Sequence, residues 1–373
     1  MKIGFDAKRA FYNRSGLGNY SRWFINGLTN LYPENGYFLF SPKSKGRIHF
    51  SGDQSSQIIT PINNKTKISQ NYWRYKTMVR QINEEDLDIY HGLSHELPKG
   101  IRKCRAKSVV TMHDAIFMRY PELFDLSYRI IFKKKYAHAL KVADGIIAIS
   151  EQSKNDITNY FNVDQDRIKV IYQGCSSIFY NSVNDEYKEQ IKLKYNLPDQ
   201  FILYVGTIEP RKNLLGIFQA LVAANVDVPL VAVGRPTNYL NKVKDFVSEH
   251  KLEKQAIFLH NVETPELPAI YQMASLFVYP SLFEGFGIPI LEALNSGTPV
   301  ITSKGSCFPE VGGDAAKYAE YGNIEELADT IKTVLQSKEL QLDMATKGKA
   351  KALEFREEKI IGELFNYYQS LIS

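Results

Sequence analysis

The stretch from Ala274 to Thr302 admits few folds. An apolar run, Ala274 to Tyr279, ends at Pro280-Ser281 and reads as a buried parallel strand. A loop with Gly285 and Gly287 follows, and glycine lets backbone N–H groups come close to a ligand. Pro289 suits the first turn of a helix, where its missing donor costs nothing. Gly297 and Pro299 stop that helix, and Val300-Ile301-Thr302 begins another strand. A donor-rich loop thus meets a helix N-terminus at the carboxyl edge of a sheet, where α/β proteins hold anionic ligands.

Glu284 stands just before this helix and Glu292 about one turn inside it. Either acid alone is an ordinary partner for a helix dipole. With the glycines and Pro289 in register, one could accept from sugar hydroxyls and the other from a ribose diol. The whole stretch resembles the Glu-x7-Glu motif of retaining glycosyltransferases of the GT-B fold, in the large fourth family that includes bacterial mannosyltransferases.

At 373 residues the chain suggests two domains, and 44% hydrophobic with 12% aromatic residues indicates a packed globular protein. Cys104, Cys175 and Cys307 are far apart and form no metal or redox spacing, which fits reduced thiols in a cytosol. Charge appears too early at the N-terminus for a signal peptide, and no apolar run approaches a bilayer span. Residues 1–190 hold 28 Lys+Arg and 19 Asp+Glu, a balance of +9. The remainder of the 46 and 41 is 18 and 22, a balance of −4. A basic first half suggests an anionic partner, whether a phosphorylated acceptor, an acidic membrane or nucleic acid, although lysines such as Lys133-Lys134-Lys135 can simply be solvated. No nucleic-acid reader motif is present.

In chain order, Lys2 to Ala7 reads as a strand, Arg14 to Tyr20 as a Gly-x-Gly loop and Tyr20 to Leu31 as an amphipathic helix. Ser21 stands where a third glycine would complete a dinucleotide fingerprint, so Gly16 and Gly18 mark either a diphosphate loop or a plain turn. Residues 41–70 are polar and show no chemistry. Strands ending at His91 and at His113-Asp114 place histidines at a sheet's functional edge, and His91 and His95 are read as structural. Gly174 to Asn181 lacks periodicity and reads as a hinge. Beyond it, strand Phe201–Val205 leads through Gly206-Thr-Ile-Glu-Pro-Arg-Lys-Asn213 into a helix. Arg211 and Lys212 sit where a helix dipole repels cations unless an anion is also present, which suits a diphosphate.

The resemblance, strongest over 204–316, implies two Rossmann-like doubly wound domains facing across a cleft. The first is 1–174, joined by a C-terminal helix, 355–373, that crosses back to it; the second is 175–354. The resemblance also implies His113 and Glu284 as the catalytic pair. Donor contacts would come from Gly16, Gly18, Thr207, Arg211, Lys212, Asn261, Val262, Gly285, Phe286, Gly287, Ile288 and Glu292. No metal and no cofactor are expected. The donor expected is GDP-mannose, with UDP-glucose or UDP-N-acetylglucosamine as alternatives, and the acceptor a saccharide or lipid-linked oligosaccharide. A cytoplasmic enzyme is expected, with the charge suggesting peripheral contact with an anionic membrane and a soluble enzyme whose lysines aid solubility as the alternative; a non-catalytic nucleotide-sugar-binding protein is the alternative of another class.

Overall fold

The computed structural model describes residues 1–13, 16–43, 56–61 and 66–373. Arg14, Ser15 and much of the polar 41–70 stretch lie outside the described residues. Two compact units divide the chain: Met1–Gly174 with Arg356–Ser373, and Cys175–Phe355.

In the first unit the described strands are β1 (Lys2–Asp6), β2 (Gly36–Phe40), β3 (Ser56–Ile59), β4 (Ile89–Gly92), β5 (Lys107–Met112), β6 (Gly145–Ala148) and β7 (Ile168–Val170). They form one parallel sheet in the order β3-β2-β1-β4-β5-β6-β7. The second unit holds β8 (Ile202–Val205), β9 (Leu230–Val233), β10 (Ala256–Leu259), β11 (Leu276–Tyr279), β12 (Val300–Ser303) and β13 (Ala316–Ala319). These are also all parallel, in the order β10-β9-β8-β11-β12-β13. Strands such as β6, β9 and β11 are buried at every residue, as a sheet covered on both faces requires, and so read as continuous apolar runs. In each sheet the order reverses between the first and fourth strands, β1 and β4 or β8 and β11. That reversal opens a crevice outside the strands' carboxyl ends.

One local expectation is corrected. The helix after β1 runs Gly16–Leu31, so Gly16 and Gly18 lie in its first turns and not in a loop before it. A short helix, Lys8–Tyr12, precedes it. Arg22 accounts for both, because its Nη1 donates to the carbonyls of Ala10 (2.8 Å) and Asn13 (2.9 Å) and so satisfies the end of the short helix. Gly18 lets the two helices meet: a Cβ there would lie 1.8 Å from the Asn13 carbonyl oxygen. Ser177–Phe179, within the expected hinge, forms a single 3-10 turn with Phe179 buried.

The final helix, Glu357–Ile372, starts two residues later than the expected 355, after a 3-10 turn at Leu353–Phe355. It packs on the helix Gly16–Leu31 of the first unit, and Phe365 stacks on Tyr32 with centroids 3.7 Å apart. His91, fully buried, bridges the Tyr368 hydroxyl (2.5 Å) and the Thr111 hydroxyl (2.8 Å). This histidine ties the last helix to the sheet, a structural task. Tyr368→Phe should therefore cost about 1–3 kcal/mol, the penalty for stranding a buried polar atom. Thermal unfolding would record it as a lower Tm, and an unchanged Tm would refute the tie.

Candidate functional site

The second sheet's reversal point gathers two loops. One follows β8 and ends in a 3-10 turn, Pro210–Lys212, before the helix Leu214–Ala224. The other follows β11 and enters the helix Ile288–Ser296, with Pro289 in its first turn. Gly287 caps that helix at φ 105°, a left-handed backbone that any other residue would adopt only under strain. The loops are stitched together where the Leu282 N–H donates to the Arg211 carbonyl at 2.8 Å.

Between them sits a charge cluster. Glu284 Oε1 accepts from Lys212 Nζ at 2.9 Å and pairs with Arg211 Nη1 at 2.9 Å. The same oxygen accepts from the Tyr279 hydroxyl (2.8 Å) and the Ser281 hydroxyl (3.0 Å). Lys212 Nζ also donates to the Tyr279 oxygen (2.5 Å), and Arg211 Nη2 to Glu209 at 2.7 Å. The three charged side chains keep only 13–20% of their surface exposed. Burial works against ionisation of Glu284, but Lys212 and then Arg211 outweigh it and hold the carboxyl down at about 2. The anion that two cations at this turn demand is thus partly supplied by the chain itself.

Support for the second loop comes from the segment after β12. Ser306 accepts from the Glu284 N–H at 3.1 Å and donates to the Glu284 carbonyl at 2.9 Å, while the buried Cys307 thiol donates to the Phe286 carbonyl at 2.8 Å. Tyr279, Ser281, Glu209, Ser306 and Cys307 are contacts that sequence reasoning missed. Tyr279 and Ser281 had a signal, since both stand at the end of a strand entering a ligand loop.

The other candidates scatter around this centre. Gly285, Phe286 and Ile288 belong to the same loop and helix start. Thr207 follows β8 and its carbonyl accepts from the Tyr204 hydroxyl at 3.1 Å. Asn261, exposed, and Val262, half-buried, follow β10. Glu292 is not part of the cluster; Tyr271 donates to its Oε2 at 3.0 Å. Withdrawal from water pushes that carboxyl up to about 7.

His113 belongs to the first unit, just past β5, and is 5% exposed. Its Nε2 lies 2.8 Å from the Leu93 carbonyl, which can only accept, so this nitrogen carries the proton and Nδ1 is the ring's lone-pair side. Burial pushes the ring down to about 4, which keeps it neutral at pH 7. His95 accepts from the His113 N–H at 3.2 Å and stacks on Tyr136, holding the turn in place. Asp114 caps the next short helix through the Ile116 N–H at 3.1 Å.

Known proteins share this layout. The family model for glycosyl transferases group 1 matches residues 185–351, and that for glycosyltransferase family 4 matches 34–176. An O-antigen chain mannosyltransferase B from Escherichia coli is 32% identical over 289 residues, 76% of this chain and 74% of that protein. The chain belongs to the group 1 glycosyltransferases. The sucrose-phosphate synthase of Thermosynechococcus elongatus superposes over 100% of this glycosyltransferase and 99% of itself, with a TM-score of 0.80 at 18% identity. Anabaena HepE, solved in complex with UDP and glucose, covers 99% of this chain and 100% of its own, with a TM-score of 0.76 at 20% identity. The fold is GT-B. Among the described residues no helix is long and apolar enough to cross a membrane.

Glu292 sets a pH dependence whose sign follows from its raised carboxyl. The unfolded chain ionises it near 4.5 and the folded one near 7, so the native state loses stability as pH rises through that window. Glu292→Gln removes the ionisation, and the Tm of the parent should fall relative to this variant between pH 4.5 and 7. A constant difference across the window would show that the carboxyl is not held protonated.

Proposed function

We propose that this glycosyltransferase moves mannose from GDP-mannose to a saccharide or lipid-linked oligosaccharide, with retention at the anomeric carbon and without a metal ion or cofactor. The observation that carries it is the Arg211–Lys212 pair set against Glu284 at the second sheet's reversal point. A bidentate guanidinium and a compact ammonium suit the two phosphates of a nucleoside diphosphate. In the reaction, the C1–O bond to phosphate breaks, a C1–O bond to an acceptor hydroxyl forms, and that hydroxyl's proton passes to the departing diphosphate. Arg211 and Lys212 stabilise the departing diphosphate, whose negative charge grows as that bond opens. Glu284, ionised, accepts from hydroxyls of the transferred sugar. His113, neutral, does the same through Nδ1, and Glu292 holds the ribose. Thr207, Asn261, Val262 and the 285–288 backbone make the remaining donor contacts, with Gly16 and Gly18 placing helix N–H groups toward it.

Mannose is favoured by the likeness to the Escherichia coli O-antigen chain mannosyltransferase B. UDP-glucose is the second reading, favoured by Anabaena HepE, which binds UDP and glucose. The assay is product formation from GDP-mannose, with the configuration of the new linkage read by NMR. Stabilisation by UDP in preference to GDP would overturn the donor. Lys212→Ala should weaken GDP by about 1.5–3 kcal/mol, the worth of one charge-assisted contact, and GDP bound as tightly as by the parent would remove the phosphate assignment.

The same reading places the protein in the cytoplasm, peripheral on an anionic membrane. The +9 balance of residues 1–190 supports this, as does apolar surface on the helix Leu126–Val142, where Leu126, Ile130 and Ile131 are exposed beside Lys133 and Lys134. Co-sedimentation with anionic vesicles should occur at low salt and fade as salt rises. No sedimentation at low salt would refute it.

A further inference from the structure

One hydrogen bond, from Nε2 to the Leu93 carbonyl, sets the tautomer of His113, but a single bond leaves a ring able to rock about it. Two further rings close on the imidazole. Tyr20 meets it nearly perpendicular, with centroids 4.4 Å apart and planes at 79°, and His95 meets it at 4.9 Å and 71°. Edge-to-face pairs of this kind are favourable, each by about 0.5–1.5 kcal/mol beyond the area they bury. They orient a ring only if the partner rings are themselves fixed.

One residue of β5 fixes both partners. Thr111 stands two positions before His113. Its carbonyl accepts from the His95 N–H at 2.9 Å, and its hydroxyl lies 3.0 Å from the Tyr20 hydroxyl. The same Thr111 oxygen is the one that His91 Nε2 reaches, with Tyr368 on the far side of that ring. Tyr20, Thr111, His91 and Tyr368 are all buried, so a hydroxyl deprived of its partner here has little water to replace it. Burial pushes the His91 ring down to about 3 and the Tyr20 hydroxyl up, so every member is neutral near pH 7. A neutral chain brings no charge to His113. What it can supply is position.

The packing around the chain points the same way. Tyr20 belongs to the helix Gly16–Leu31, on which the final helix rests. One turn along, Phe24 packs its ring at 4.3 Å against that of Tyr20. The Tyr20 ring is thus confined at its side by Phe24 and anchored at its tip by Thr111. His95 is confined likewise, by its stack on Tyr136 at 4.6 Å. A working side chain has to be held within about 0.5 Å and 10–20° of its productive geometry, by neighbours whose own rotamers are locked. Tyr20 and His95 are such neighbours.

We infer that Tyr20 and Thr111 are positioning residues for the transfer reaction. The Thr111 hydroxyl anchors Tyr20, its carbonyl anchors His95, and the two rings clamp the His113 imidazole so that Nδ1 keeps one direction. This rests on the reading above in which His113 meets the transferred sugar. Neither Tyr20 nor Thr111 touches the substrate; both act through His113.

The test labels the histidines of the full chain with nitrogen-15 and reads the His113 ring by NMR, its signal assigned from its loss in His113→Ala. Steady-state kinetics are run beside it, with GDP-mannose as donor and methyl α-mannoside as the acceptor probe. The parent should show one tautomer, with the proton on Nε2. Tyr20→Phe and Thr111→Val, each measured well below its own Tm, should share that proton between the two nitrogens. Both should lower kcat about tenfold, less than the roughly hundredfold that a 1 Å misplacement can cost, with donor KM and GDP affinity within about twofold of the parent. Thr111→Ser, which returns the hydroxyl, should recover most of the loss. Tyr368→Phe loosens the far end of the chain but leaves the bond between Tyr20 and Thr111, so its kcat should stay within about twofold of the parent. An unchanged His113 signal in Tyr20→Phe and Thr111→Val overturns the inference. So does a loss of kcat in Tyr368→Phe as large as theirs, which would make general loosening the cause. A His113→Ala variant with the parent's kcat, or a parent that forms no product, would instead count against the proposed reaction, and the imidazole signals would still decide the clamp.

Discussion

The second unit depends on one carboxylate being shared by two cations. Glu284 Oε1 takes Lys212, Arg211, Tyr279 and Ser281 at once, and those groups come from both loops that flank the sheet's reversal point. A buried charge is tolerable only when paired and hydrogen-bonded, so each member of the cluster fixes the others. Arg211 is held inward by Glu284 and Glu209 together, and Lys212 by Glu284 and Tyr279. Conversely, Lys212 and Arg211 are the main influences that hold the Glu284 carboxyl low against burial. The glycines, Pro289 and the Ser306–Cys307 brace then serve to deliver this carboxylate to one place.

Both sheets obey the same rule, and the chemistry differs by what each reversal point carries. In the second sheet cations and acid are nearly matched, so the cluster is self-satisfied and compact. In the first, the elements that follow β1 and β4 carry rings, and Tyr20 and His95 close on a neutral imidazole just past β5. Aromatic packing and a chain of buried hydroxyls hold that group in place. A neutral group costs less to bury than a charged one, so His113 depends on packing where Glu284 leans chiefly on its cations.

Much of this could be read from the residues, and the limits have physical causes. Strands of both sheets announce themselves as short apolar runs, and Gly285, Gly287 and Pro289 mark the ligand loop, because backbone conformation and missing donors are local properties. Repeated strand–helix units read as α/β in both halves, and the GT-B class comes from the family resemblance that the loop carries. The helix start at Gly16 was not legible: Gly16 and Gly18 signal a turn, and only Arg22, reaching back to Ala10 and Asn13, makes a helix there. Nor was the clamp on His113, because Tyr20, His91, Thr111 and Tyr368 are far apart in sequence and meet only through the sheet and the final helix.

The charge cluster also bears on how a donor could enter the proposed site. Arg211 and Lys212 are already committed to Glu284, so an incoming diphosphate would meet cations whose desolvation the fold has largely met. A single carboxylate carries one charge, whereas a nucleoside diphosphate brings two or more and a geometry that suits a guanidinium fork. On the proposed reading, exchange would not need the loops rebuilt, since Tyr279 and Ser281 can keep Glu284 hydrogen-bonded while its cations turn to phosphate. The carboxylate so released is the one proposed to meet the sugar. Its freedom to accept from hydroxyls would then be linked to the arrival of the phosphates, and a sugar without its diphosphate would find Glu284 occupied.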